Sequence, residues 1–125
     1  MQDREVRDLL EETFARLMPG EPMAQGRKKY AQLRLQREEQ EVACGENLYG
    51  RARSALQEKA SLLEEEPETR LLLLTGSGFR GNNPTVVELQ FTAERMVLTA
   101  WAKEGLIPQR SARRAIQAIR AALEV

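Results

Sequence analysis

The chain has 125 residues, about the size of one domain with one modest hydrophobic core. Lysine plus arginine equals aspartate plus glutamate, at 19 each, so the net charge does not indicate a protein that binds polyanions through its overall charge. The single cysteine, Cys44, excludes an internal disulfide, and the absence of histidine removes the commonest metal ligand and general base. We therefore expect a cytoplasmic protein without a metal or a cofactor.

The N-terminal region, residues 1–75, is charged and is predicted to be helical. Apolar residues at helical spacing predict an amphipathic helix over about residues 3–17, which a run of proline and glycine then ends. Residues 24–65 contain no proline and many helix-forming residues, which predicts one long helix or two collinear helices. Two glycines close to Cys44 indicate a bend or a break there.

Four consecutive leucines, residues 71–74, lie near the end of this region. A run without periodicity fits either a buried strand or a short helix. Because leucine favours helix and no convincing partner strand is apparent, we predict a short apolar helix over about residues 69–75. No segment is long and apolar enough to span a bilayer and no signal peptide is visible, so membrane contact is expected only through a partner.

The clearest pattern lies in residues 84–125, which are predicted to form a C-terminal helical hairpin. Asn83 and Pro84 suit the N-cap and the first position of a helix. Gly105 is placed to close that helix in the left-handed conformation, and Pro108 prevents it from continuing. A second helix then follows.

The apolar residues of this hairpin define its packing. Phe91, Leu98 and Trp101 lie on a face of the first helix that is wider than a lone surface helix needs, so we expect them to pack within the hairpin or against a partner. The stripe of the second helix consists of Ala112, Ala115, Ile116, Ile119 and Leu123. The predicted fold class is therefore all-α, a small helical bundle with a long or broken N-terminal helix and a C-terminal helical hairpin.

A glycine-rich loop, residues 76–83, separates the two regions and contains one motif. Gly76, Gly78 and Gly81 fit the pattern G-x-G-x-x-G after an apolar run and before a predicted helix, as in a dinucleotide-binding turn. Such a turn also needs a helix that begins at the glycines and a parallel strand after it, and neither is apparent. A flexible connector is favoured, and nucleotide binding through this loop is kept as an alternative.

Basic residues share one face of the last predicted helix. Arg110, Arg113, Arg114 and Gln117 lie opposite the apolar stripe. A helix, a tight turn and a basic second helix outline a helix-turn-helix, which would place these arginines in the major groove of DNA. Surface arginines on a helix are more often a solvated face, so DNA binding is an alternative to a protein contact.

The hairpin also has a family resemblance, in residues on both sides of its turn. These residues are Ala93, Glu94, Arg95, Leu98, Glu104, Gly105, Ile107, Arg113 and Arg114. Together they resemble the cytoplasmic C-terminal tail of bacterial sodium/proton antiporters of the monovalent cation:proton antiporter family. The resemblance implies a cytosolic regulatory or assembly role through helix packing, and not transport, because the ion-binding membrane segments of such a transporter have no counterpart here.

The favoured hypothesis is a non-catalytic interaction or regulatory module, which is not an enzyme because no recognisable catalytic arrangement of residues is present. It would bind a protein partner, or itself, through helix packing. The residues expected to take part are Phe91, Leu98, Trp101, Arg110, Arg113 and Arg114. The alternatives are a small helix-turn-helix-like DNA-binding protein and a nucleotide-binding protein that uses the loop from Gly76 to Gly81.

Overall fold

The computed structural model describes residues 1–77, 83–105 and 109–125, and in these ranges the chain has an α+β fold. The helices are α1 (Asp3–Leu17), α2 (Ala24–Gln32), α3 (Leu48–Ala55) and α4 (Ser111–Leu123), and a short 3-10 helix (Glu21–Met23) precedes α2. The strands are β1 (Arg34–Ala43), β2 (Ser61–Glu66), β3 (Arg70–Ser77), β4 (Asn83–Phe91) and β5 (Arg95–Glu104). None of the helices in the described ranges is long and apolar enough to cross a membrane.

The described strands form one antiparallel sheet in the order β1-β5-β4-β3-β2. β2 to β5 follow one another as neighbouring strands, and β1 joins the sheet at the far side of β5. Helices α3 and α4 pack on one face of the sheet, and helices α1 and α2 pack on the other. The sheet is therefore the middle layer of three, and β1 and β2 are its edges.

The α3/α4 face contains the larger apolar core. Strand residues such as Leu73, Val87 and Leu98 pack there against Ala52 of α3 and Ile116 of α4, all of them buried. Every second side chain of a strand points to this face, and the valine and leucine side chains there pack against the two helices. Burial of this many apolar side chains makes this face the main source of hydrophobic stabilisation.

The α1/α2 face has a smaller apolar cluster. Val6 and Leu10 of α1 and Tyr30 of α2 pack against Leu72 and Trp101 of the sheet. The aromatic ring of Tyr30 also stacks on that of Phe14, with the ring centroids 4.1 Å apart. Polar contacts of the buried Lys103 complete this face.

The all-α prediction is wrong, and its first error is the C-terminal hairpin. Residues 83–104 form a β-hairpin in which Val86 lies opposite Trp101. A backbone hydrogen bond from the Thr92 N–H to the Arg95 carbonyl, 2.9 Å long, closes the turn. Because helices cover both faces of these strands, apolar residues occur on both sides and their alternation is hidden. The pattern then resembles the wide apolar face of a helix.

The second helix of the predicted hairpin is present as α4. Its predicted stripe is buried against the sheet and consists of Ala112, Ala115, Ile116, Ile119 and Leu123. Gly105, however, follows β5 instead of closing a helix, and among the described glycines only Gly20 has a positive φ. The predicted turn residue Pro108 lies outside the described residues.

The predicted long helix over residues 24–65 is also wrong. α2 occupies only its beginning, and β1, α3 and most of β2 occupy the rest. The sequence of β1 is charged and rich in helix-forming residues, but β1 pairs with β5 from Arg34 opposite Glu104 to Ala43 opposite Arg95. Pairing with β5, a strand far away in sequence, outweighs the local preference of β1 for a helix.

The short helix predicted over residues 69–75 is a strand, β3. Leu71 and Leu73 belong to the core of the α3/α4 face, whereas Leu72 and Leu74 belong to the α1/α2 face. A strand in the middle of a three-layer fold is apolar on both sides, which is why the four leucines have no periodicity.

Candidate interaction surface

The start of α4 is anchored to the end of β5 by a buried carboxylate. Glu104 accepts hydrogen bonds from the backbone N–H groups of Gln109, at 3.1 Å, and Ser111, at 2.7 Å. The side-chain amide of Asn83 donates to the Lys103 carbonyl and to the Ser111 hydroxyl, at 3.0 and 2.9 Å. A negative charge beside the first turn of a helix is favourable, and it occupies N–H groups that could otherwise bind an anion. These hydrogen bonds fix the position of the start of α4 relative to β4 and β5.

Three arginines lie at the start of α4. Arg110, which has a left-handed backbone conformation with φ 55°, lies immediately before α4, and Arg113 and Arg114 lie in its first turn. All three side chains are exposed, and together with Gln117 they line a shallow cleft of about 270 Å³. We call Arg110, Arg113 and Arg114 the arginine surface.

The arginine surface is not neutralised within the described part of the chain. Arg53, Arg70 and Arg95 each form an ion pair with a glutamate, whereas none of the three arginines of the surface does so with any described residue. Arginine has a planar group with five N–H donors, which suits carboxylate and phosphate groups. The surface therefore presents positive charge and hydrogen-bond donors to solvent.

A second cleft, of about 410 Å³, lies between α4 and the edge strand β1. Gln36 and Glu38 line it from the strand, and Arg110 and Arg113 line it from the helix. We call it the β1 cleft. Farther along, Arg120 donates to the side-chain oxygen of Gln40 at 2.7 Å, so α4 follows β1 over more than one helical turn.

The predicted site residues are divided by the structure. Arg110, Arg113 and Arg114 lie together at the surface, as the stripe on the last helix predicted. Phe91 and Leu98 are buried in the α3/α4 core, and Trp101, with 2% of its surface exposed, lies on the opposite face of the sheet. Burial within the chain itself accounts for these three apolar residues without a partner. The exposed arginines are the part of the predicted site that can meet one.

Two predicted arrangements do not have the elements that they require. The element before α4 is the strand β5, so the arginines do not lie on the second helix of a helix-turn-helix. Gly76 lies in β3, and the first described residue after the glycine motif, Asn83, begins the strand β4 and not a helix. A dinucleotide site needs a helix N-terminus at that point to hold the pyrophosphate. Gly78 and Gly81 lie outside the described residues.

Another polar cluster connects α3 to β2. The hydroxyl of Tyr49 donates to a carboxylate oxygen of Glu65, and Arg53 binds the same oxygen at 3.0 Å. The hydrogen bond raises the pKa of Tyr49 and lowers the pKa of Glu65. The three groups bind one another and connect the edge strand β2 to α3. Cys44 is half-buried against the α3/α4 core, and no group of metal-ligating side chains occurs in the described ranges.

Several residues of the surface were not predicted from the sequence. Gln36, Glu38 and Gln40 lie within the helix predicted over residues 24–65, and Glu104 lies at the end of the first helix of the predicted hairpin. A polar stretch such as β1 has no alternation that would identify it as an edge strand. The bond from Glu104 to the start of α4 likewise has no local sequence signature.

A comparison with protein-family models, with curated proteins and with solved structures finds no match for this chain.

Proposed function

We propose that the chain is a non-catalytic interaction module that binds a protein partner through the arginine surface. The observation that supports this function is that Arg110, Arg113 and Arg114 are exposed, adjacent and without an acidic partner among the described residues. Arginine is enriched at protein interfaces, where its donors and its flat face both make contacts. The complementary partner surface is acidic.

The buried charged groups support a non-catalytic role. Glu104 holds the start of α4, Lys103 holds the N-terminal helices, and Glu88 is paired with Arg70 at 2.6 Å. Each of these groups is engaged in a contact between elements of the fold. Charged groups that are occupied in this way serve the fold.

The resemblance to sodium/proton antiporter tails would give this module a regulatory or assembly role in such a system. The contact would then be made by the arginine surface of a three-layer α+β domain, in place of the helix packing expected from the sequence. A sodium/proton antiporter among the crosslinked proteins would support this role, and its absence would contradict it.

The partner can be found by photo-crosslinking in a lysate of the cells that produce the protein. A benzoylphenylalanine at the exposed Ala118 of α4 lies beside the arginine surface, and one at the exposed Ala15 of α1 is the position control. We expect an acidic protein to be crosslinked from position 118 and to be lost in the variant Arg110→Ala/Arg113→Ala/Arg114→Ala.

The charge control removes three exposed arginines of α1, in the variant Arg4→Ala/Arg7→Ala/Arg16→Ala. This variant should retain the partner, because it also removes three positive charges but leaves the arginine surface intact. Both variants should keep the stability of the parent within about 0.5 kcal/mol, as is usual for surface substitutions. Crosslinks that disappear after nuclease treatment, or that do not depend on the three arginines, would contradict a protein-binding role.

A further inference from the structure

We infer that the partner segment is an acidic, extended peptide that adds to the sheet as a sixth strand beside β1, with its side chains in the β1 cleft. This inference rests on the proposed function and specifies how the arginine surface is used. Its first support is that β1 is an edge strand of ten residues, and that β5 is its one partner strand among the described residues. Every second residue of such a strand presents an unpaired backbone N–H and C=O to solvent.

The opposite edge of the sheet is less suited to strand addition. β2 has six residues, and a bulge between Leu62 and Glu64 interrupts its register. Bulges and short edge strands are features by which proteins prevent pairing with other chains. β1 has neither feature, so it is the better template of the two edges.

The helix beside β1 suits side chains of an added strand. Arg113 lines the same cleft as Gln36 and Glu38, and Arg120 donates to Gln40. Positions 113 and 120 are seven residues apart, which is about 10 Å along a helix, and three residues of strand also span about 10 Å. α4 therefore follows β1 in the same direction. Side chains on one face of an added strand would meet α4 along its length.

The charges in the β1 cleft specify the chemistry of the segment. Arg110 and Arg113 are free of ion pairs with described residues, whereas the carboxylate of Glu104 is engaged at the start of α4. Acidic side chains are therefore favoured beside the two arginines. Glu38 also lines the cleft, so a neutral residue is expected opposite it.

A second copy of the chain is a poor occupant. If two β1 strands pair antiparallel about their midpoint, Glu38 of each copy lies opposite Glu39 of the other. Like charges directly opposite each other destabilise a strand pair. The partner is therefore a segment of different sequence, with acidic residues beside Arg110 and Arg113.

Binding can be measured by calorimetry with a peptide of alternating glutamate and threonine, ten residues long to match β1. In an extended peptide the glutamates lie on one face, and threonine favours strand conformation. We expect Arg110→Ala/Arg113→Ala to weaken binding roughly tenfold or more, since each arginine loses charge-assisted hydrogen bonds. Arg114→Ala, on the same helix but outside the β1 cleft, should change the affinity little.

Glu38→Gln should tighten binding of the same peptide, because in the parent protein one glutamate of the peptide lies opposite Glu38 and is repelled by it. A peptide with lysine in place of glutamate should not bind. Equal affinities for Arg114→Ala and for the double variant, or no effect of Glu38→Gln, would overturn this placement.

Backbone pairing is tested separately with N-methylated peptides. In a strand the N–H groups of all glutamates point to one edge and those of all threonines point to the other. Methylation of one set should therefore abolish binding, and methylation of the other set should leave it unchanged. Hydrogen exchange should also slow at alternate amides of β1 and remain unchanged in β2.

Equal binding of both methylated peptides would show that the arginines bind carboxylates without strand addition. The inference would also be overturned if neither methylated peptide binds or if the parent peptide does not bind. Protection of β2 amides instead of β1 amides would overturn it as well. The proposed function fails on a different result, the absence of any arginine-dependent protein partner in the crosslinking experiment. An arginine-dependent partner that leaves β1 amides unprotected would preserve the function and reject the sixth strand.

Discussion

The two faces of the sheet are covered by two helices each, but they are held in different ways. On the α3/α4 face, Leu98 and Ile116 belong to a continuous apolar core. On the α1/α2 face the apolar cluster is smaller, and the ammonium group of Lys103, whose side chain is 1% exposed, reaches out of the sheet to both helices. One face depends on the sum of many packing contacts. The other combines a smaller apolar cluster with the contacts of one buried lysine, which a single substitution can remove.

Lys103 makes the contacts that connect the α1/α2 face. Its ammonium nitrogen lies 2.6 Å from a carboxylate oxygen of Glu11 in α1 and donates to the carbonyl of Ala31, at 2.9 Å, at the end of α2. It also lies 5.4 Å from the centre of the Tyr30 ring. A positive charge at the C-terminus of a helix is favourable, and a buried ammonium needs such partners.

The largest effect is expected from Leu98→Ala in the apolar core. Leu98 is fully buried, and truncation of such a side chain costs about 3–5 kcal/mol, because packing contacts are lost and a cavity remains. Denaturant unfolding followed by the fluorescence of Trp101, the single tryptophan, measures this cost. Leu62→Ala, at an exposed leucine of β2, is the control and should cost less than about 1 kcal/mol. Similar costs at the two positions would contradict the core assigned to this face.

A smaller and more local effect is expected from Lys103→Met. The substitution keeps the length of the side chain but leaves the Ala31 carbonyl and the Glu11 carboxylate without their donor, at a cost of about 2–3 kcal/mol. Amide hydrogen exchange should become faster in α1 and α2 first, while α3 and α4 remain protected.

The exposed Lys59→Met is the matched control and should leave exchange unchanged. A double-mutant cycle with Glu11→Gln should show a coupling between Glu11 and Lys103. Uniformly faster exchange in all four helices would show that the two faces are not held independently.

The smallest effect at neutral pH is expected from Tyr30→Phe. The hydroxyl of Tyr30 is buried and has no hydrogen-bond partner among the described residues, so its removal should leave the free energy of unfolding unchanged or raise it by up to about 1 kcal/mol. The stacking on Phe14 is retained in this variant. A clear loss of stability would show that the hydroxyl has a partner, such as a buried water.

The same variant has a distinct dependence on pH. Burial, together with the nearby charge of Glu11, raises the pKa of Tyr30 far above its ordinary value of about 10. Below pH 10 the phenol is protonated in both states, and its contribution to stability is constant. Above pH 10 the unfolded state loses the proton first, so the parent should lose about 1.4 kcal/mol per pH unit relative to Tyr30→Phe. Parallel stability curves for the two proteins would contradict the burial of this phenol.

The elements that have one buried side and one exposed side were predicted correctly from the sequence. The predicted stripes of the first and last helices rest on a spacing of three and four residues, and the structure has helices at Asp3–Leu17 and Ser111–Leu123. The same stripe placed Arg110, Arg113 and Arg114 on the outer side of the last helix. Local periodicity is sufficient for such elements because solvent lies on one side and the core on the other.

Strands that have two buried sides, or none, were wrongly predicted to be helices. β4 and β5 are covered on both faces, so residues such as Val86 and Val87 are both buried and no alternation is visible. β1 is exposed along most of its length, so its charged residues indicate a helix by composition. In both cases the evidence for a strand is its partner strand, which lies far away in sequence.

Residues within a few positions of each other were enough to predict the amphipathic helices and the basic outer side of the last one. That this basic helix lies beside an edge strand follows from the assembled fold. The assembled fold also buries Phe91, Leu98 and Trp101 inside the chain, on two different faces of one sheet. Strand pairing joins residues such as Arg34 and Glu104, and the burial that stabilises this pairing exists only once all the layers have assembled.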